Sequence, residues 1–182
     1  IDFDKLPSKF VLKTNHGCGD VFIVEDKSKI DINKIKKKLN RSLNIKYGYK
    51  TAEPHYIKIE PYIIAEELLE NDSDFSSSIV DYKFYVFSGN PVICGVYYNR
   101  NEDAHTTYSS FYDMNWIKHP ECQNPNKKTI CADIPKPHNL DYMIELCNKL
   151  TGEFPFVRFD LYECKGKVYF GEFTFTPAGA NG

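Results

Sequence analysis

The chain has 182 residues, with 23 Lys and Arg against 25 Asp and Glu, for a formal net charge of −2. That length suits one sizeable domain or two small lobes, and the near balance of charge excludes a broad nucleic-acid or anionic-membrane surface. The 13 Tyr and 13 Phe favour a β-rich core, because aromatic side chains fit a half-buried pleated surface.

In chain order, residues 10–15 (FVLKTN) and 21–25 (VFIVE) read as strands joined by the short loop His16-Gly17-Cys18-Gly19-Asp20. Residues 32–43 (INKIKKKLNRSL) read as an amphipathic helix, with Ile32, Ile35, Leu39 and Leu43 on one side. Its lysines, Lys34, Lys36, Lys37 and Lys38, form a solvated helix face rather than a nucleic-acid patch. Residues 44–60 are Tyr-rich and irregular, and residues 62–69 (YIIAEELL) read as a buried strand ending in acids. The polar, Ser-rich residues 70–78 read as a connector between lobes. Residues 81–88 (DYKFYVFS) and 92–99 (VICGVYYN) read as a hairpin turning at Gly89-Asn90-Pro91, with a further strand near residues 108–113. Residues 117–137 read as a long loop, and residues 140–150 (LDYMIELCNKL) as a helix with Asn139 as its N-cap.

The six cysteines, at positions 18, 94, 122, 131, 147 and 164, show no CxxC pair and no zinc spacing. They read as reduced, partly buried thiols of a reducing compartment, with the cytoplasm as the expected location. No signal peptide or apolar run of spanning length is expected. Because it opens on Ile1, the chain is expected to be part of a longer one. His16, His55, His105, His119 and His138 are scattered, with no pair at metal-ligand spacing.

The chemistry concentrates in residues 154–182 (FPFVRFDLYECKGKVYFGEFTFTPAGANG). Arg158 and Asp160 sit inside one β-rich run and Glu172 inside the next, where charges lose stability unless they have partners, a metal or a charged ligand. Side chains alternate faces along a strand, so Val157, Phe159 and Leu161 share one face and Arg158 and Asp160 the other, while Glu172 and Thr174 oppose Phe173 and Phe175. The polar rows meet if the loop has an odd number of residues. A three-residue loop, Cys164-Lys165-Gly166, is expected, setting Arg158 opposite Glu172 and Asp160 on the diagonal; a two-residue loop would split Asp160 from Glu172. Such a hairpin reads as a site for a metal and a polyanion, with an ordinary solvated polar face as the alternative. Lys13 and the glycines after it permit close approach to an anion, although an ordinary hairpin turn with a surface lysine is the more common arrangement. Lys83 and Arg100 place cations at polar-facing or terminal positions of the second sheet.

Taken in order, FVLKTNHGCGD, YIIAEELL, DYKFYVFSGNP, FYDMNW and FPFVRFDLYECKGKVYFGEFTFTPAG resemble the ATP-grasp superfamily, and within it the TupA-like group linked to teichuronopeptide and surface-polysaccharide synthesis. The resemblance implies an α+β fold of the ATP-grasp type, two α+β lobes whose antiparallel sheets clamp a nucleotide, with residues 1–70 as the small lobe and 71–182 as the large one. It also implies ATP and Mg²⁺ as cofactors. Lys13 would contact the α- and β-phosphates under a loop holding His16, Gly17 and Gly19. The strand end at Glu66, Glu67 and Leu69 would meet adenine, with Glu70 or Asp72 near the ribose. Lys83 and Arg100 would face phosphate oxygens, Asp160, Glu172 and Thr174 would hold the metal, and Arg158 would steady the transferred phosphoryl group. Many ATP-grasp ligases carry Asn where this chain has Thr174, and a hydroxyl is the weaker ligand. The implied activity is an ATP- and Mg²⁺-dependent carboxylate–amine ligase acting through an acyl-phosphate, on a small-molecule or glycan-precursor carboxylate and an amine acceptor. The partners then include neither nucleic acid nor an inserted membrane. Two alternatives remain: a non-catalytic nucleotide-binding module of a polysaccharide assembly system, and a glycan transferase or hydrolase using Asp160 and Glu172 as paired acids.

Overall fold

In the computed structural model, residues 1–17, 21–48, 53–101, 106–124 and 132–177 are described. They divide into two compact units, Ile1–Leu68 and Leu69–Pro177.

In the first unit, β1 (Phe10–Thr14), β2 (Val21–Val24), α1 (Ile32–Ser42) and β3 (Ile63–Glu66) follow in chain order. The strands form an antiparallel sheet in the order β2-β1-β3. Phe10 and Leu12 of β1 are buried with Val24, Phe3 and Leu39 of α1 in one apolar cluster, which Ile32 and Ile35 flank. Asp31 starts α1 by accepting from the backbone N–H of Lys34 at 3.0 Å, a side-chain cap on an otherwise orphan donor. Two of the helix lysines do more than face solvent: Lys36 lies over the Phe3 ring at 4.9 Å and Lys38 over Phe22 at 5.4 Å. The apolar run expected as a buried strand is instead an edge strand, β3, with Ile63 and Ile64 half-buried and Ala65 and Glu66 exposed. Among the described residues it pairs only with β1.

In the second unit, β4 (Asp81–Phe87), β5 (Asn90–Asn101), β6 (Thr106–Tyr112), α2 (Leu140–Thr151), β7 (Val157–Cys164) and β8 (Lys167–Thr174) follow in order. The five strands form an antiparallel sheet ordered β6-β5-β4-β7-β8. Tyr82, Phe84 and Val86 lie opposite Leu161, Phe159 and Val157 of β7, and Cys94 and Val96 of β5 oppose Phe84 and Tyr82. These residues make one apolar face, on which α2 lays Leu140, Met143 and Cys147, all 0% exposed. Fully burying each such side chain contributes about 1.5–3 kcal/mol. The opposite face, one residue out of phase, carries Asp81, Lys83, Arg158 and Asp160 among Tyr85, Tyr97 and Tyr162.

Three local expectations are corrected here. The β4–β5 hairpin turns at Ser88-Gly89, with φ of 46° and 80°, not at Gly89-Asn90-Pro91. Positive φ at both positions gives the turn the twist of its flanking strands. Asn139 holds the N-cap position of α2 as expected, but without a side-chain bond to the first turn. Glu163 of β7 accepts from the backbone N–H of Asn139 at 2.9 Å and of His138 at 3.2 Å, just ahead of the helix, while the Asn139 amide donates to Glu163 and to the Gly166 carbonyl. The third correction, in the β7–β8 hairpin, sets the geometry of the site. Residues 117–137 hold no long element among those described, and positions 125–131 lie outside them.

Candidate active site

The β7–β8 loop has two residues, Lys165 and Gly166, with φ of 50° and 71°. Cys164 therefore pairs with Lys167 and Leu161 with Phe170. Parity alone would put Asp160 and Glu172 on opposite faces. A bulge cancels that consequence: between Leu161 and Asp160 the register slips, and Asp160 lies directly opposite Glu172 and Arg158 opposite Thr174. The unpaired residue is Gly171. A Cβ there would meet Tyr162 Cε2 at 2.9 Å and the Asp160 carbonyl oxygen at 3.0 Å, so the close backbone approach of a bulge requires glycine. Phe170 and Phe173 consequently share the Phe159 face, with ring centroids 5.7 and 4.9 Å from it.

Across the polar face the charges interlock. Asp160, 1% exposed, accepts from Arg158 Nε at Oδ1 and from Arg158 Nη2 at Oδ2, both at 2.7 Å. Lys83 of β4, directly opposite in the register, also donates to Asp160 Oδ2. Arg158 Nη2 reaches Glu172 Oε1 at 3.0 Å and Thr174 Oγ1 at 2.9 Å, and the Thr174 hydroxyl donates to Glu172 Oε1 at 3.1 Å. Burial works against the Arg158 charge, but hydrogen bonds to Asp160 and the Asp160 and Glu172 charges more than offset it, so its pKa rises.

A third carboxylate belongs to this cluster and was missed in the sequence. Asp81, 3% exposed, takes Lys83 Nζ at 2.7 Å and Arg100 Nη2 at 3.2 Å on its Oδ2. Its Oδ1 is buried without a hydrogen-bond partner. Burial pushes the Asp81 carboxyl up and Lys83 pulls it down, with a net rise. The missed signal was spacing: Asp81 and Lys83 are two apart on one strand and so share a face. Strict alternation would aim Arg100 with Tyr98 at the core. The left-handed Asn99 (φ 48°) interrupts the strand there, and the guanidinium reaches Asp81 instead. Tyr97 flanks the cluster, its ring 5.5 Å from Lys83 Nζ.

In the first unit, Lys13 pairs with Glu66 Oε2 at 2.8 Å across β1 and β3. His16 is buried, its Nε2 donating to the Ile45 carbonyl at 3.1 Å, while its Nδ1 has no partner. Gly17 has a packing reason of its own: the Tyr47 ring lies 2.1 Å from where a Cβ would stand. Gly19, with Cys18 and Asp20, lies outside the described residues. Glu67 is exposed and Leu69 half-buried. Glu70 and Asp72 attach to the β7–β8 turn: Glu70 pairs with Lys165 Nζ at 2.8 Å, and Asp72 accepts from the Lys165 backbone N–H.

No group of three His, Cys, Asp or Glu among the described residues could hold a metal. The donor set nonetheless fits magnesium, which binds through one or two carboxylates completed by phosphate oxygens and water rather than an all-protein cage. Asp160 and Glu172 stand side by side on one face with hard oxygens. Thr174 uses its hydroxyl on Arg158 and Glu172. Burial pushes the Cys147 thiol up to about 12 and the Cys94 thiol well above its ordinary value, so neither is a thiolate nucleophile.

The polar face thus carries an interlocked lysine and two arginines with three carboxylates. A family model described as TupA-like ATPgrasp matches residues 1–182. The chain belongs to the TupA-like ATP-grasp family. Among solved structures it is similar to one titled "Structure of ATP-grasp ligase PsnB complexed with minimal precursor", at 12% identity and a TM-score of 0.43, over 93% of this chain and 42% of that one. This chain thus spans less than half the length of that ATP-grasp ligase. No curated protein matches it. No helix among the described residues of this ATP-grasp chain is long and apolar enough to cross a membrane.

Proposed function

We propose that this chain is an ATP- and Mg²⁺-dependent carboxylate–amine ligase, with the phosphate- and metal-handling face in its second unit. The observation that carries the reading is the bulge at Gly171, which aligns Asp160 with Glu172 beneath Arg158. Family membership supports ATP-dependent ligation in general. The finer reading is a reaction through an acyl-phosphate. A substrate carboxylate oxygen attacks the γ-phosphorus and ADP leaves; the amine nitrogen then attacks the acyl carbon, inorganic phosphate departs, and the amine proton passes to solvent.

Asp160 and Glu172 are the carboxylates assigned to Mg²⁺, with Thr174 orienting Glu172. When bound, the metal neutralises phosphate charge and acts as a Lewis acid on phosphate oxygens. Arg158, locked by Asp160, Glu172 and Thr174, is pre-organised to stabilise charge on the transferred phosphoryl group. Lys83 and Arg100 are assigned to phosphate oxygens. In the same reading Lys13, His16, Gly17, Gly19 and Glu66 serve the nucleotide from the first unit, with Glu67 and Leu69 on adenine and Glu70 on the ribose. A surface-polysaccharide precursor as carboxylate substrate, and a cytoplasmic setting, complete the proposal.

The test is ADP and phosphate release with Mg²⁺ and a panel of carboxylates and amines, comparing the natural chain with Asp160→Asn/Glu172→Gln. Turnover is expected to fall by at least about a hundredfold in the variant. Undiminished ATP binding and turnover there would sink the metal assignment.

A further inference from the structure

The metal assignment above leaves a conflict on Asp160. Arg158 and Lys83 already occupy both of its oxygens, and two cations crowded on one carboxylate repel a third. Arg158 has other anchors, Glu172 and Thr174. Lys83 has Asp81, whose Oδ2 lies 2.7 Å from the same ammonium. Lys83 thus bridges two carboxylates buried to 3% and 1% exposure. The second oxygen of Asp81, Oδ1, is buried and open as an acceptor, so an ammonium leaving Asp160 has a place to go without crossing to solvent.

We propose that Asp81 is the positioning residue for Lys83: it draws the ammonium off Asp160 when a divalent cation enters, and keeps it beside the site instead of in it. The inference rests on the magnesium reading of Asp160 and Glu172. Without Asp81, Lys83 has Asp160 as its remaining carboxylate among these contacts and competes with the metal. Arg100, held by the same Asp81 Oδ2 at 3.2 Å, is steered by the same group.

The probe is Mn²⁺ alone, titrated into the whole chain and followed by the electron paramagnetic resonance of the free ion, which needs no turnover. Lys83→Gln, which clears the ammonium from Asp160, is expected to tighten Mn²⁺ binding about tenfold. Asp81→Asn is expected to weaken it about tenfold, and Asp81→Glu to restore much of the loss. The decisive comparison is a double-mutant cycle. In the Lys83→Gln chain, Asp81→Asn should change Mn²⁺ affinity by no more than about twofold, whereas a simple loss of nearby negative charge would persist there in full. A full-sized Asp81→Asn effect in that background overturns the proposal. So does equal Mn²⁺ affinity of the natural and Lys83→Gln chains when both are abolished by Asp160→Asn, and that result leaves the magnesium reading standing. Mn²⁺ binding that survives Asp160→Asn in the Lys83→Gln chain overturns the magnesium reading and the proposal with it. Should Asp81→Asn lose its fold by circular dichroism, the Lys83→Gln and Asp81→Glu arms decide alone.

Discussion

Replacing Gly171 with Ala tests the bulge that aligns Asp160 with Glu172. The added Cβ would lie 2.9 Å from Tyr162 Cε2 and 3.0 Å from the Asp160 carbonyl oxygen. The tyrosine ring can swing, but the carbonyl belongs to a strand held between β4 and β8, so the backbone must give by a few tenths of an ångström. Overpacking of this kind costs about 1–3 kcal/mol, and a loss of about 2 kcal/mol lowers Tm by about 4–8 °C in a chain of this size. The contrast is Gly166, where a Cβ would meet nothing within 4 Å but φ is +71°. There Ala carries a conformational cost of about 1 kcal/mol and Asn, which tolerates left-handed φ, carries less. The order should invert at 171, where the bulkier Asn is worse than Ala. Thermal and urea melts of the four variants read this directly, with ATP consumption falling more in Gly171→Ala than in Gly166→Ala. A neutral Gly171→Ala, or the same residue order at both sites, refutes the argument that the bulge glycine is there for space.

Glu163→Ala removes the acceptor for the two backbone N–H groups that open α2 and should cost about 1–2 kcal/mol in urea denaturation; no loss would show that solvent caps the helix equally well. His119 Nδ1–H donates to Glu121 Oε1 at 2.7 Å, and that hydrogen bond, opposed by desolvation and aided by Asp113, raises its pKa above the ordinary histidine value. A raised folded-state pKa gives stability that is fully present below about pH 6.5 and lost as pH climbs through the folded value. The Tm gap between the natural chain and His119→Gln should therefore be widest near pH 5.5 and close by about pH 8.5, and a gap constant with pH would remove the ion pair from the account.

Much of the architecture was legible because alternation is a robust signal. Lys83 falls on the polar face and Tyr82, Phe84 and Val86 on the apolar one simply by parity, and the helix at Ile32–Ser42 follows from its apolar spacing. What parity cannot see is an interruption of itself. Positive φ at Lys165 and Gly166 selects a two-residue loop, which reverses the expected facing of Glu172, and the bulge at Gly171 reverses it again. Two compensating one-residue shifts are invisible to a rule with period two. The left-handed Asn99 does the same for Arg100. Asp81 was missed because an acid at a strand boundary reads as an end signal, and only the fold shows it buried beneath Lys83 and Arg100. The run at residues 62–69 was expected to be a buried strand for its apolar content, yet the strand covers Ile63–Glu66 alone and is an edge strand among the described residues.

The charge inventory of the cluster constrains how metal and nucleotide depend on each other. Lys83, Arg100 and Arg158 face Asp81, Asp160 and Glu172, and every cation is engaged by a carboxylate. A triphosphate arriving alone would meet cations already neutralised and a carboxylate beside each, so like charges would offset the attraction. A divalent cation arriving alone must first displace Lys83 from Asp160 towards Asp81. Together they resolve each other's difficulty: the metal claims Asp160 and Glu172, and the released lysine and arginine donors turn to phosphate oxygens. The coupling is reciprocal by linkage, so Mg²⁺ should raise ATP affinity by the same factor as ATP raises Mg²⁺ affinity, about 5–150-fold for a coupling of 1–3 kcal/mol. Calorimetric titrations of each ligand with and without the other measure both factors. Nucleotide affinity indifferent to the metal would mean that the cations of this face are free for phosphate without it, contrary to the pairing seen at Asp81, Asp160 and Glu172.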